Sequence, residues 1–159
     1  MINGVVIKKL RVFPDIVEDG EVSSNPGFLM EVLRADEKLL RQFGQTTFTV
    51  AHKGTVKAFH WHKRQDDLWF AATGKAMIVL YDLREQSRTY GVTQVIMAGE
   101  NDYKLVVIPT GVAHGYKVLS DDPVLLFYHT TEPYNPKQPD EQRIPHDDPR
   151  IGFDWLKEY

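Results

Sequence analysis

Gly54-Thr-Val-Lys-Ala-Phe-His60-Trp-His62-Lys-Arg-Gln-Asp66-Asp67-Leu-Trp69-Phe-Ala-Ala-Thr-Gly74 decides how this chain is read. The residues up to His62 are rich in β-branched and aromatic types, which favour a strand. In a strand, residues i and i+2 share a face. His60 and His62 therefore project together, and Asp66 or Asp67 returns toward them from the next strand. Two imidazoles on one face are costly to bury without partners, so such a face lines a site.

Outward from this stretch the pattern stays β. Thr46–His52, Thr55–His62, Leu68–Thr73, Lys75–Tyr81, Val92–Met97, Lys104–Ile108, Ala113–Leu119 and Val124–Thr130 are predicted strands. Gly74, Gly99-Glu-Asn-Asp102, Pro109-Thr-Gly111 and Ser120-Asp-Asp-Pro123 separate them as turns. Short strands at near-regular spacing imply an all-β jelly-roll sandwich or barrel. Upstream, Gly4–Phe13 reads as a strand, Pro14–Pro26 as an acidic loop and Phe28–Val32 as a short strand. Arg34–Phe43 carries helix formers, with Leu39, Leu40 and Phe43 on one side and Gly44 as a stop. After Thr131 the chain is polar and proline-rich until Ile151-Gly-Phe-Asp-Trp155 supplies an apolar anchor. The expected layout is one domain over 1–159. Residues 1–45 form N-terminal strands and a short helix, 46–131 the barrel, and 132–159 an arm that docks on it with a short helical segment.

The 159 residues suffice for one domain with a real core, and 42% hydrophobic content excludes a largely disordered chain. A net charge of -3 with no basic run argues against nucleic acid as a partner. No cysteine is present, which removes thiolate nucleophiles and cysteine-ligated zinc. No apolar run approaches a membrane span, and Met1-Ile-Asn-Gly4 carries no signal core. A cytoplasmic protein is the expectation.

Gly54, His60-x-His62, Asp67 and Gly74 resemble the first motif of the cupin superfamily, with Asp where Glu is usual. Pro109-x-Gly111-x-x-His114 resembles the second, without its leading glycine. That likeness implies a double-stranded β-helix with His60, His62, Asp67 and His114 around one cavity. Three imidazoles and a carboxylate suit Fe, Mn, Ni or Zn.

A narrower resemblance runs along most of the chain. It is carried by Pro26-Gly-Phe-Leu-Met-Glu31, Gln45, Lys57-Ala-Phe-His60, Tyr81-Asp-Leu-Arg84 and Thr89-Tyr-Gly91. Ile108-Pro-Thr-Gly-Val-Ala-His114-Gly-Tyr116, Glu132-Pro-Tyr-Asn-Pro136 and Asp147-Asp-Pro-Arg-Ile-Gly-Phe-Asp154-Trp155 continue it in order. Together these resemble the dTDP-4-dehydrorhamnose 3,5-epimerases, dimeric jelly-roll cupins that work without metal. The resemblance implies an isomerase of nucleotide sugars in deoxysugar or cell-surface polysaccharide synthesis, acting as a homodimer.

It also implies roles. His60 matches the base that removes a proton alpha to a 4-keto group, and Asp154 the acid that orients it. Tyr128 matches the acid on the opposite face, and Tyr134 an aromatic that stacks on the ligand. Phe28, Glu31 and Gln45 match ligand-binding positions. Lys57, His62, Asp67 and His114 complete the expected substrate-binding set. Departures are concentrated near the charge. Pro26 and Lys57 stand where the family has arginines, and His62 stands where it has an amide or another polar group. Asp67 replaces the lysine that meets the enolate. An aspartate there repels an enolate unless it is protonated or paired with a cation.

Three other readings stand beside this one. The first is a metal-dependent cupin enzyme using His60, His62, Asp67 and His114. The second is a sugar 3,4-ketoisomerase, resembled by His60-x-His62-Lys63 and Gln65. The third is a non-catalytic nucleotide-sugar-binding cupin. Each singled-out residue also has a bland alternative: a packed wall histidine, a hairpin acid at Asp67, a core Tyr128, or a turn cap at Asp154.

Overall fold

The computed structural model describes residues 1–16 and 27–157. Most of the predicted loop at Pro14–Pro26 lies outside the described residues. Twelve strands are present among those described: β1 (Val6–Lys9), β2 (Val12–Pro14), β3 (Phe28–Met30), β4 (Gln45–Ala51), β5 (Val56–His62), β6 (Asp67–Ala71), β7 (Lys75–Asp82), β8 (Thr93–Gly99), β9 (Lys104–Ile108), β10 (Val112–Val118), β11 (Val124–Thr130) and β12 (Glu141–Arg143). They form two five-stranded sheets, β1-β9-β6-β11-β4 and β12-β5-β10-β7-β8, and a separate β2-β3 pair. All pairings between these strands are antiparallel. This is the expected jelly-roll barrel.

Alternation along the strands sorts three layers. Ala76, Ile78 and Leu80 of β7 join Trp69, Val106, Val112, Tyr116 and Leu126 in the inner core. Their neighbours Met77 and Val79 face outward, where Ile144, Ile151 and Trp155 cover them. Ile144, Ile151 and Trp155, all after Thr131, lie over the outer face of the second sheet. On the first sheet, outward Leu68, Phe70, Leu105 and Val107 pack with Leu10, and with Met30, Val32, Leu39 and Leu40 from the N-terminal region. Strands β6, β7, β9 and β10 thus bury apolar side chains on two faces, and that burial is the main stabilising term.

The N-terminal expectations need correction. Gly4–Phe13 is two strands, β1 and β2, in different sheets. The predicted helix Arg34–Phe43 is one 3-10 turn, Ala35–Glu37, ended by Lys38 at φ 54. Ten residues with little helical packing do not repay helix nucleation; Leu39 and Leu40 instead pack onto the first sheet. The expected C-terminal helical segment is also absent among the described residues, which hold only turns there.

One irregularity sets the site. His114 of β10 pairs with His60, but Tyr116 pairs with Lys57. Two steps along β10 are answered by three along β5, which is a β-bulge. Ala58 and Phe59 then both contribute to the outer cluster, while Lys57, His60 and His62 all line the cavity. Gly115 sits opposite the bulge. A Cβ there would lie 2.8 Å from both Ala58 Cα and Lys57 O, and would collide with Ala58 Cβ. Gly115→Ala is expected to cost about 1–3 kcal/mol of stability by overpacking. Thermal denaturation checks this, and a melting curve matching that of the unsubstituted chain refutes it.

Candidate functional site

A cavity of about 210 Å³ opens between the two sheets. Strand β5 supplies Lys57, His60 and His62, β6 supplies Asp67 and Trp69, and β11 supplies Leu126, Tyr128 and Thr130. The segment from Glu132 to Glu141 forms one wall, including Tyr134 and Asp140. His114 of β10 lies behind these, 1% exposed, with its ring centroid 4.2 Å from that of His60 in an edge-on contact.

Asp67, and not Asp66, is the acid that turns inward. Its Oδ1 accepts from Gln65 Nε2 at 2.7 Å and its Oδ2 from the Trp69 indole at 3.2 Å. His62 Nε2 stands 3.7 Å from Oδ1 and His114 Nε2 3.6 Å from Oδ2. Burial alone would raise the Asp67 pKa, but His114, His62 and Gln65 outweigh it and hold the carboxyl well below its usual range. Asp66 is occupied elsewhere. It receives Arg41 at 2.7 Å and both the N–H and hydroxyl of Thr110.

His60 is the pocket-facing imidazole. Neither ring nitrogen has a hydrogen-bond partner among the described residues, and its ring lies against His114 and Trp69. Burial, followed by repulsion from His114, pushes it down to about 2, so the ring is neutral. Burial also lowers the His62 pKa. Tyr128 is moved up, again by burial first, so its phenol stays protonated. Lys57 Nζ donates to the Thr49 hydroxyl at 2.8 Å and lies 6.0 Å from the centre of the Tyr116 ring.

Eight of the eleven expected site residues gather here: Gln45, Lys57, His60, His62, Asp67, Tyr128, Tyr134 and His114. Gln45 is partly a tether, since its Oε1 accepts the Tyr134 N–H at 2.7 Å. Three lie elsewhere. Asp154 lines an outer crevice with Val56, Ala58 and His146, and its carboxylate accepts the Leu156 N–H at 2.9 Å. Trp155 packs on outward Phe59, so the arm holds Asp154 on the face of the second sheet opposite His60. The orienting role expected of Asp154 therefore does not fit this geometry; the ring beside His60 is His114. Phe28 packs on Tyr103, and Glu31 pairs with Arg34 at 3.0 Å, both away from the cavity.

Sequence reasoning met Gln65 only in the ketoisomerase-like signature and did not assign Tyr116 or Asp140 to the site. Asp140 Oδ2 accepts the N–H groups of Arg64 and Gln65 and lies 3.9 Å from His62 Nδ1. It sits in a segment whose polarity reads as solvated tail. Tyr116 is 3% exposed, and its hydroxyl has no hydrogen-bond partner among the described residues.

A jelly-roll barrel with imidazoles and a carboxylate turned into one cavity defines a small-molecule-binding barrel of the cupin type. The model of one family, dTDP-4-dehydrorhamnose 3,5-epimerase, matches residues 1–159. The chain belongs to that family, whose members are isomerases. It is 50% identical over 159 residues to the spore coat polysaccharide biosynthesis protein SpsL of Bacillus subtilis, covering 100% of this chain and 99% of that one. It is 34% identical over 145 residues to a probable low-salt glycan biosynthesis epimerase of Haloferax volcanii, covering 89% and 93%. Among solved structures, a dTDP sugar isomerase from Desulfovibrio desulfuricans superposes with a TM-score of 0.85 at 30% identity, over 99% of this chain and 94% of that one. A Legionella pneumophila dTDP-6-deoxy-D-glucose-3,5-epimerase in complex with dTDP-4-keto-L-rhamnose superposes with a TM-score of 0.80 at 27% identity, over 97% and 79%. No helix among the described residues is long and apolar enough to cross a membrane.

Proposed function

We propose that this chain epimerises a dTDP-4-keto-6-deoxyhexose in deoxysugar or polysaccharide biosynthesis, with His60 as base and Tyr128 as acid. The observation that carries this reading is that an unengaged, neutral imidazole and a protonated phenol line one cavity. His60 takes the proton alpha to the ketone. The C–H electron pair closes the C=C bond of an enolate, and the carbonyl π pair moves to oxygen. Tyr128 then returns a proton to the same carbon from the other side, inverting it. Solvent exchange resets imidazolium and phenolate. Tyr134, 63% exposed at the rim, offers a ring face for stacking on the base or sugar.

The test is wash-in from deuterated buffer. Incubated with dTDP-4-keto-6-deoxyglucose, the protein is expected to incorporate deuterium at C3, at C5 or at both, read by NMR. Absence of label at both carbons sinks the proposal. Tyr128→Phe separates the two steps: exchange persists while inverted product falls about 10²–10⁴-fold. Equal loss of both removes Tyr128 from the acid role.

A homodimer is part of the same reading. β4 is an edge strand, and its outward Phe48 and Val50 are 49% and 44% exposed. Free edges with apolar outward residues invite a second copy. Light scattering is expected to give twice 18.3 kDa, and a monomer at micromolar concentration refutes this.

A further inference from the structure

The lining of the cavity is unevenly charged. Asp67, Glu132, Asp140 and Glu141 stand against two cations, Lys57 and Arg64. Arg64 is largely exposed and lies 3.6 Å from Asp140. An enolate forms readily only where donors or a cation meet its oxygen. The Asp67 corner does not supply them. Both carboxylate oxygens there already act as acceptors, from Gln65 and Trp69, and they repel a second negative charge.

A second corner, formed by Thr49, Lys57 and Tyr116, holds donors instead. The β-bulge makes it. Counting by twos from His60 would put Lys57 on the outer face with Phe59. The extra residue turns Lys57 inward and sets it directly across from Tyr116 in the register of β5 and β10. Its Nζ reaches the Thr49 hydroxyl of the facing sheet at 2.8 Å and lies 6.0 Å from the centre of the Tyr116 ring. An ammonium has three hydrogens. Thr49 is its one hydrogen-bond partner among the described residues, so two remain to be given.

Tyr116 is the more telling member. It lines the cavity, is 3% exposed, and its hydroxyl is buried without a hydrogen-bond partner among the described residues. Burial raises its pKa and nearby Thr49 only opposes that rise, so the phenol keeps its hydrogen. A buried donor without an acceptor is costly, and a ligand oxygen removes that cost. The corner is also close to the chemistry. The rings of Tyr116, His60 and Tyr128 lie 5.7, 5.9 and 6.5 Å from the ring of one shared neighbour, Trp69.

We propose that the Tyr116 hydroxyl and the Lys57 ammonium together hold the ketone oxygen and the enolate made from it, an assignment that rests on the epimerase reading. The Lys57 stem is flexible, and its ammonium turns from Thr49 to the bound oxygen. Tyr116 gives the second hydrogen bond. No proton leaves either group. His60 still removes the C–H proton, the carbonyl π pair moves to oxygen, and the two donors tighten on the charge that collects there.

The test uses the full chain with dTDP-4-keto-6-deoxyglucose in deuterated buffer, and dTDP as a ligand without a ketone. Tyr116→Phe removes only the hydroxyl. Its melting temperature is expected to equal or exceed that of wild type, because no hydrogen bond is lost. Its deuterium wash-in is expected to fall about 10²-fold, in kcat more than in KM. Lys57→Met is expected to lose at least as much wash-in while binding dTDP within tenfold of wild type by calorimetry. Wash-in within tenfold of wild type in folded Tyr116→Phe overturns the role of the phenol and leaves the epimerase reading intact. A melting temperature well below wild type gives the hydroxyl a structural partner and overturns that role too. Wash-in within tenfold of wild type in Lys57→Met, or dTDP binding weakened more than tenfold, removes the ammonium from the ketone; the second result assigns it to the diphosphate. A wild-type chain without exchange at either carbon removes the epimerase reading and this proposal together.

Discussion

His60→Ala is expected to lower deuterium wash-in from solvent by about 10³-fold while leaving the fold intact. A positioned general base contributes roughly 10²–10⁴ in rate, and each decade is about 1.4 kcal/mol of activation free energy. Three histidines share this corner, and geometry separates them. His114 is committed to the Val112 carbonyl through Nδ1 and faces Asp67 through Nε2. His62 has Nε2 beside Gln65 at 3.3 Å and Asp67 at 3.7 Å. His60 alone is free of such partners and reaches the cavity. It is also the least buried of the three, so its truncation leaves little unpaired. Its loss is expected to spare the melting temperature, which distinguishes a chemical defect from collapse. Exchange in His60→Ala at the wild-type rate would move the base elsewhere. Partial rescue by added imidazole would tie the lost activity to the missing ring.

Much of the barrel was legible because its strands keep strict alternation. Ala76, Ile78 and Leu80 turn in while Met77 and Val79 turn out, and period two needs no tertiary knowledge. The cluster of His60, His62 and Asp67 followed from the same rule. It could not show that Lys57 joins His60 on the inner face, because that depends on a bulge opposite Gly115. Nor could it choose between Asp66 and Asp67. Arg41, Thr110 and Trp69 make that choice from distant strands and loops. Asp154 failed for a related reason. The motif around it is legible, but Trp155 docks on outward Phe59 and carries the carboxylate to the far face. Asp140 was hidden by composition, since a polar, proline-rich segment looks the same whether it faces solvent or roofs a cavity. The helix expected over 34–43 fell to Lys38 and to the pull of Leu39 and Leu40 onto the first sheet.

Asp67→Ala is expected to be the most destabilising single change in the cavity, at about 3–5 kcal/mol. The carboxylate is the acceptor shared by the Gln65 amide and the Trp69 indole, and it offsets the field of His62 and His114. Removing it leaves the buried Trp69 indole without its acceptor, at about 1–3 kcal/mol, and takes one of the two contacts of the half-buried Gln65 amide. It also opens a gap beside Trp69, which is 2% exposed and touches His60, His114, Tyr116 and Tyr128. Against a typical folding free energy of about 5–15 kcal/mol, that is a large fraction. For a chain of this size it corresponds to a fall in melting temperature of roughly 6–20 °C. Asp67→Asn keeps an oxygen for one donor and the shape of the side chain, so its cost is expected near 1–2 kcal/mol. Denaturant titrations compare the two through the shift in midpoint. An Asp67→Ala midpoint within experimental error of wild type would show that this carboxylate is not what holds the inner corner together. A deficit confined to Asp67→Ala, with Asp67→Asn close to wild type, would place its structural role in hydrogen bonding and leave its charge free for the chemistry of the cavity.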